Sequence, residues 1–427
     1  MRKVTAALLG TVLTGTLVTA CGSDAGDTTT GDPDGRGPIT FATIKDGTGT
    51  VPELVEQWND DHPDEQVTIV ELPEGADGQR QKLVQQAQTQ SDAYDVITID
   101  LPWNAEFAAR RWITELPPDQ FRVDGFFDAA LAGSQYRDGL YSIPHFTGSA
   151  MLYFREDLLE KVSAEPPTTW AELAEVCDEV LALPEAEGMS CYAGQHDKYE
   201  GLTVNFLEAV ASAGGTVFDE QGRPHLDTPE AAEGLRFLVE GLDEGRIPGD
   251  AVTYKEEEGR RAFQQGELVF HRNWAYIYAL VNADDGSSEI AGDAGVTVIP
   301  GKDGPGVSSL GGNNLAVSSF STAQATARDF IAWLTGLDTQ LQHAEGSAYP
   351  MTRTEVYSDP GLREQYPYLT VLKDGIENAQ PRPSIVRYGD ASTVIQNNVY
   401  AAITGERSAD KALATMQQEL TALTQGS

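Results

Sequence analysis

From Ile39 onward the apolar positions follow two periods in turn. Ile39-Thr40-Phe41-Ala42 reads as a strand, and Pro52 then opens a helix in which Leu54, Val55 and Trp58 recur at helical spacing. Val67 to Leu72 alternates as a strand. Asp77 to Gln90 predicts a helix with Leu83, Val84 and Ala87 on one side, and Asp95 to Asp100 is a short apolar strand flanked by acids. Strands separated by helical stretches predict a largely parallel sheet covered on both faces. From Thr147 to about Gly301 helical patterns prevail: Trp170 to Ala182, Leu202 to Ser212, Thr228-Pro229-Glu230 running to Gly241, and Glu257 to Gln265. Gly295 to Pro300 is strand-like, Leu315-Ala316-Val317 returns to a sheet, and Ala323 to Leu334 closes with a helix. No repeat or heptad run interrupts the pattern, which predicts two α/β lobes built from discontinuous segments.

The first 38 residues follow neither period. Arg2 and Lys3 precede an apolar run from Val4 to Val18 broken by Gly10, Thr11 and Gly15, too short for a membrane-spanning helix of roughly 20 residues and laid out as a cleaved export signal over 1–20. Val18-Thr19-Ala20-Cys21 resembles the lipobox of bacterial lipoproteins, in which the cysteine is lipidated; an ordinary secretory signal with a chance cysteine is the alternative. Gly22 to Pro38 holds no hydrophobic residue except Ala25, and the expectation is a flexible tether over 21–38.

Composition narrows the partners. Loss of 1–20 leaves 407 residues, 40% hydrophobic across the whole chain, enough for two to three domains without disulfide staples. The formal charge of −37 becomes −39 when Arg2 and Lys3 leave, which argues against nucleic acid and against charge docking on anionic lipid. Besides Cys21 only Cys177 and Cys191 remain, and outside the cytoplasm a disulfide is expected, worth roughly 3 kcal/mol for a loop of that size; two buried thiols too far apart to join are the alternative.

Catalytic motifs are absent: no Gly-x-Ser-x-Gly, no phosphate-cradling loop and no His-Glu-x-x-His. The six histidines lack ligand spacing, so no metal and no cofactor is expected. Paired carboxylates of a glycosidase are uninformative among 66 acids. Groups suited to a sugar are better placed, because flat aromatic rings cover C–H patches while carboxylate, amide and guanidinium groups pair with hydroxyls. Asp100-Leu101-Pro102-Trp103-Asn104 follows an apolar strand, where parallel sheets bind ligands. Arg272-Asn273-Trp274 and Gly311-Gly312-Asn313-Asn314 add aromatic and amide groups beside glycines that admit close approach. Trp58, Trp112, Trp170 and Trp333 lie in helical apolar patterns and read as core; Trp103 and Trp274 stay open between core and ligand.

In order along the chain, Tyr94-Asp95-Val96, Ile99-Asp100, Trp103, Glu106-Phe107-Ala108-Ala109, Trp112, Ile143-Pro144, Phe146-Thr147, Leu152-Tyr153-Phe154-Arg155, Tyr199-Glu200-Gly201-Leu202, Arg272-Asn273-Trp274, Gly311-Gly312, Asn314-Leu315-Ala316, Pro350, Tyr357, Ala379 and Pro381-Arg382-Pro383 resemble the family 1 extracellular solute-binding proteins of bacterial ABC importers, in their trehalose/maltose-binding branch. The resemblance covers nearly all of 39–420. It implies a two-lobe, type II periplasmic-binding-protein-like clamp with hinge crossovers and mainly parallel central sheets flanked by helices, with 39–146 plus 308–350 in the N-terminal lobe and 147–307 plus 351–427 in the C-terminal lobe. It further implies a monomer, anchored outside the cytoplasm by lipid alone, that hands a carbohydrate to membrane permease subunits. Family ligand positions fall on Asp46, Arg80, Asp100, Trp103, Trp274, Gly312, Asn313 and Arg382. This chain departs at Gly148, where relatives carry an acid, at Gln380 in place of arginine and at Asn313 in place of tryptophan, which puts the identity of the sugar in doubt. A surface glycosidase, or a binder of a non-sugar solute such as a peptide or polyamine, are the alternatives.

Overall fold

The computed structural model describes residues 31–425 except Glu220 and Ala348, so the export signal and Cys21 lie outside the described residues. The strands are β1 (Ile39–Thr43), β2 (Val67–Glu71), β3 (Val96–Asp100), β4 (Gln135–Tyr136), β5 (Gly139–Leu140), β6 (Ile143–Arg155), β7 (Ser190–Ala193), β8 (Leu268–Trp274), β9 (Ala294–Val298) and β10 (Leu310–Val317). β4 and β5 pair with each other, and the rest form one path, β2-β1-β3-β10-β6-β8-β7, with β9 on β6. The helices expected from the sequence form within a few residues of their expected ends, among them Thr50–Asp61, Ala76–Gln88, Trp170–Leu181, Glu200–Ser212 and Gln324–Leu334.

The sheet is mixed rather than mainly parallel. β1 pairs in parallel with β2 and β3, and β7 with β8. Every pairing of β6 and β10 is antiparallel, because these strands carry the chain between the lobes and run back against their neighbours. β6 joins the lobes physically: Ile143–Ser149 pairs with β10, whereas Ala150–Arg155 pairs with β8 and β9. Twelve of its thirteen residues are buried, since layers cover both faces, and such a strand shows no alternation. The stretch from Thr147 to Gly301 is accordingly less helical than its pattern suggests, as it also holds most of β6, β7, β8 and β9.

A register shift falls where β10 meets β6: Asn313 faces Phe146 while Asn314 faces Pro144, leaving His145 as the extra residue of a bulge. Proline there has no N–H to give the ladder. Gly312 opposite the bulge has φ +126°, and a Cβ on it would lie 2.1 Å from the Phe146 carbonyl oxygen, so only glycine fits.

Two segment boundaries differ from expectation. Residues 21–30 of the expected tether lie outside the described residues, whereas residues 31–37 are strapped to the first lobe. Asp32 N donates to Ser321 O (3.0 Å), Ala325 N to Gly35 O (3.0 Å), Arg328 Nη2 to Pro33 O (2.9 Å) and Gly37 N to Thr326 Oγ1 (3.2 Å). Arg36 bridges Glu65 (2.8 Å) and Asp329 (2.7 Å). Backbone bonds and two arginines, Arg36 and Arg328, hold this segment, which is why its lack of hydrophobic residues misleads. The start of the segment given to the second lobe from 351 likewise packs on the first: Arg353 donates to Phe121 O, Arg122 O and Thr335 O, and Met351 pairs with Phe146. Cys177, on the helix Trp170–Leu181, is bonded to Cys191 on β7, with Cα atoms 5.4 Å apart.

Two predictions follow from this packing. Arg36 is the sole lysine or arginine between Lys3 and Lys45, so trypsin reports on the strap; cleavage after Arg36 should be slow in the native protein and accelerate when Glu65→Gln and Asp329→Asn are combined. His196, His271 and His343 are buried neutral, and burial pushes them down to about 4, about 3 and about 4. Between the unfolded value near 6.5 and these values the unfolded chain takes up protons that the folded chain does not, so stability falls as pH falls. His196 and His343 should each cost about 3 kcal/mol by pH 4; urea melts at pH 7 and pH 5 should show the midpoint falling.

Candidate ligand-binding site

β3 ends on Asp100, and the turn Leu101–Trp103 follows it directly. Asn313 of β10 stands beside Asp100 in register, with Gly312 next to it. Into this corner comes Arg382, from a segment tied to the start of β10: Leu310 N donates to Gln380 O (2.7 Å) and Gln380 N to Ser308 O (2.8 Å). Flanking prolines Pro381 and Pro383 restrict that backbone further. Arg382 Nη1 donates to Asp100 Oδ2 (2.7 Å) and Nη2 to Asp100 Oδ1, a two-point pair between lobes.

The same guanidinium is held from the second lobe. Nη1 also donates to Glu200 Oε1 (2.8 Å), where Glu200 is the first residue of the helix Glu200–Ser212. Tyr388 OH donates to Glu200 Oε1 (2.5 Å) and Ser392 Oγ to Oε2 (2.5 Å). Side-chain exposures are 4% for Arg382, 11% for Asp100 and 6% for Glu200. Burial lifts the Glu200 carboxyl above its ordinary value, opposed chiefly by Arg382. Arg382 Nε has no hydrogen-bond partner among the described residues and is buried, which makes it a donor waiting for an acceptor.

Trp274 ends β8 and is partly exposed. The Arg272 guanidinium lies 4.3 Å from its ring centre, and Gly311 presses so close that a Cβ there would meet the ring at 2.5 Å. Arg272 is itself fixed by Glu208, with Nε donating to Oε2 (2.8 Å) and Nη2 to Oε1 (2.5 Å), and by Gln195. Glu208 also accepts from Ser309 N (3.0 Å) at the start of β10, so one buried ion pair ties the aromatic platform to a crossing strand.

The other expected residues take different places. Arg80 donates to Glu106 (2.5 Å) and packs against Gly389, one residue from Tyr388. Asp46 is spent on its own loop, accepting from Thr48 N (2.8 Å), Thr48 Oγ1 (2.6 Å) and Val51 N (2.7 Å) at a helix start. Trp103 is 2% exposed among Ile99, Phe107 and Tyr388, a core position in this conformation. Asp100, Trp274, Gly312, Asn313 and Arg382 thus surround the strand crossing, with Arg80 at its side, and the Asp46 loop faces it through Tyr349, which packs on Phe146 and Tyr276.

Glu200 and Glu208 were not singled out from the sequence. An acid within the apolar run Leu202 to Val210 was the available signal for Glu208, because such a residue needs a buried cation. For Glu200 the available signal was the family-like segment Tyr199-Glu200-Gly201-Leu202, which gave the residue no role. No group of three or more histidine, cysteine or acidic residues suited to a metal occurs among the described residues. At this corner the fold brings Asp100 and Glu200 together, and both are committed to one arginine, an arrangement unlike the acid and nucleophile pair of a glycosidase.

Residues 42–341 match the family of bacterial extracellular solute-binding proteins. A probable ABC transporter-binding protein of Deinococcus radiodurans is 31% identical over 83% of this chain and 86% of its own length. A mannitol-binding protein of Pseudomonas aeruginosa is 25% identical over 90% and 92%. Among solved structures, the maltose-bound MalE3 protein of T. maritima superimposes with a TM-score of 0.86 at 34% identity, over 90% of this chain and 99% of that one.

The ion pair beneath the platform is testable alone. Glu208→Ala strands the Arg272 charge in the interior and should cost about 3 to 5 kcal/mol in urea unfolding, far beyond a surface substitution.

Proposed function

We propose, since the chain belongs to the bacterial extracellular solute-binding proteins, that it captures a disaccharide or oligosaccharide, an α-glucoside such as trehalose or maltose, and delivers it to the membrane subunits of an ABC importer. The family consists of binding proteins and not enzymes, and it works outside the cytoplasm. The observation that carries the reading is the cross-lobe corner itself: a carboxylate and a guanidinium for hydroxyls, an amide at Asn313, and the partly exposed Trp274 as a stacking face. Arg80 completes the polar wall. The maltose bound by the T. maritima relative supports a disaccharide, and the mannitol named for the Pseudomonas relative makes a polyol the second ligand to test.

Lipidation of Cys21 belongs to the same reading. Anchored there, a monomeric clamp stays beside the importer it feeds, at raised local concentration. The bonded Cys177 and Cys191 suit an oxidising exterior.

A thermal-shift panel of maltose, trehalose, maltotriose, mannitol and spermidine tests the proposal. A ligand at 100 times its Kd adds about 2.7 kcal/mol of stability, and a disaccharide should give the largest rise with no product formed. Trp274→Ala should weaken that binding about tenfold, near the value of an aromatic contact. Stabilisation by spermidine alone, or sugar turnover, would contradict it.

A further inference from the structure

We propose that His271, held in its Nδ1–H tautomer, is a positioning residue for Trp274, acting through Asn273 to fix the angle at which the indole meets a ligand. The proposal deepens the sugar-binding reading and rests on it only for the role of Trp274 as the stacking face.

The tautomer follows from the partners. Asn273 Oδ1 accepts from Trp274 N (2.7 Å) and Asn273 Nδ2 donates to Glu256 O (3.0 Å), so a backbone donor and a backbone acceptor fix which end of the amide is which. Asn273 Nδ2 also lies 2.8 Å from His271 Nε2. A donor facing it requires Nε2 to be the bare nitrogen, and the proton then sits on Nδ1, 3.0 Å from Ala193 O, which can only accept. Both ends of the chain demand the same tautomer. An imidazolium would set two donors against each other at Nε2. Burial first, then the neighbouring Arg272, His196 and Arg260, hold the ring neutral, against the pull of the Ala193 carbonyl.

Packing leaves this relay no room to turn. His271 and Asn273 are buried on one face of β8, and β7 supplies Ala193 in register with His271. The helix Glu256–Gln264 presses so near that a Cβ on Gly259 would lie 2.5 Å from His271 Cε1, and Phe263 covers the ring at 5.9 Å between centres. The ring therefore joins a strand and a helix to the amide that carries the Trp274 backbone. Arg272 steadies the indole from its face, and Asn273 steadies the main chain behind it.

Proton–nitrogen correlation spectra of the wild-type imidazoles provide the first test. His271 should show a protonated Nδ1 and a bare Nε2 from pH 7 to pH 5, since burial pushes the ring down to about 3. Affinity is then measured for whichever compound of the thermal-shift panel stabilises the protein most. His271→Leu should weaken it about fivefold, the worth of one hydrogen bond, and should speed amide exchange at Trp274. His271→Gln, whose side-chain oxygen can stand where Nε2 stood, should keep most of the affinity. In a Trp274→Ala background His271→Leu should cost nothing further, as residues acting through one contact require. A protonated Nε2, unchanged exchange at Trp274, equal losses in the Leu and Gln variants, or a further loss in the double variant would each overturn the proposal. Should His271→Leu fail to fold, the wild-type spectrum and the affinity of His271→Gln decide it, retained binding supporting the relay and lost binding overturning it. The spectra and the exchange rates need no ligand, so a panel in which no sugar binds sinks the functional reading while they still judge the relay.

Discussion

A single buried guanidinium, that of Arg382, organises the space between the lobes. A cation this enclosed is costly unless it is paired and hydrogen-bonded, and no one segment of the chain supplies both partners. Asp100 comes from the end of a strand in one lobe and Glu200 from the start of a helix in the other. Their meeting depends on the sheet path bringing β3, β10 and β6 side by side, and on Gln380 pairing with the start of β10. The polar corner is thus a consequence of the crossings, and the crossings are held in register by the corner.

The crossings themselves depend on β6. One continuous strand shared by both lobes lets them move as units about a short stretch near Gly148, where pairing passes from β10 to β8 and β9. Close packing at Gly311 and Gly312 brings the returning strand against both Trp274 and the Phe146 carbonyl. A second buried pair, Glu208 with Arg272, braces the platform from the second lobe and reaches Ser309 on the returning strand. Two ion pairs therefore frame the cleft, one across it and one beneath its aromatic wall.

Much of this was readable in the amino-acid sequence, and the exceptions have physical causes. Strand β3 and the helix around Trp58 show clean apolar periods, so they were legible locally. β6 was not, since a strand buried on both faces and interrupted by Pro144 and Gly148 carries no alternation. The mixed sheet follows from which strands cross between lobes, a long-range property without a local signature. Residues 31–37 looked like tether because their hold on the first lobe uses backbone groups, Arg36 and Arg328, which composition does not register. In the site, Asp100 and Arg382 were legible through family likeness. Glu200 lay in a family-like segment, but its role arises only when Arg382, far along the chain, is folded against it, and Asp46 accepts from its own helix start.

The most direct test of the central claim, that the ligand is held where the two lobes converge on Arg382, is a crystal structure with the sugar that most stabilises the protein. The account predicts one sugar ring lying on the exposed face of Trp274 with adjacent hydroxyls on Asp100 and Arg382. A sugar bound elsewhere, with Trp274 and Arg382 untouched, would contradict it.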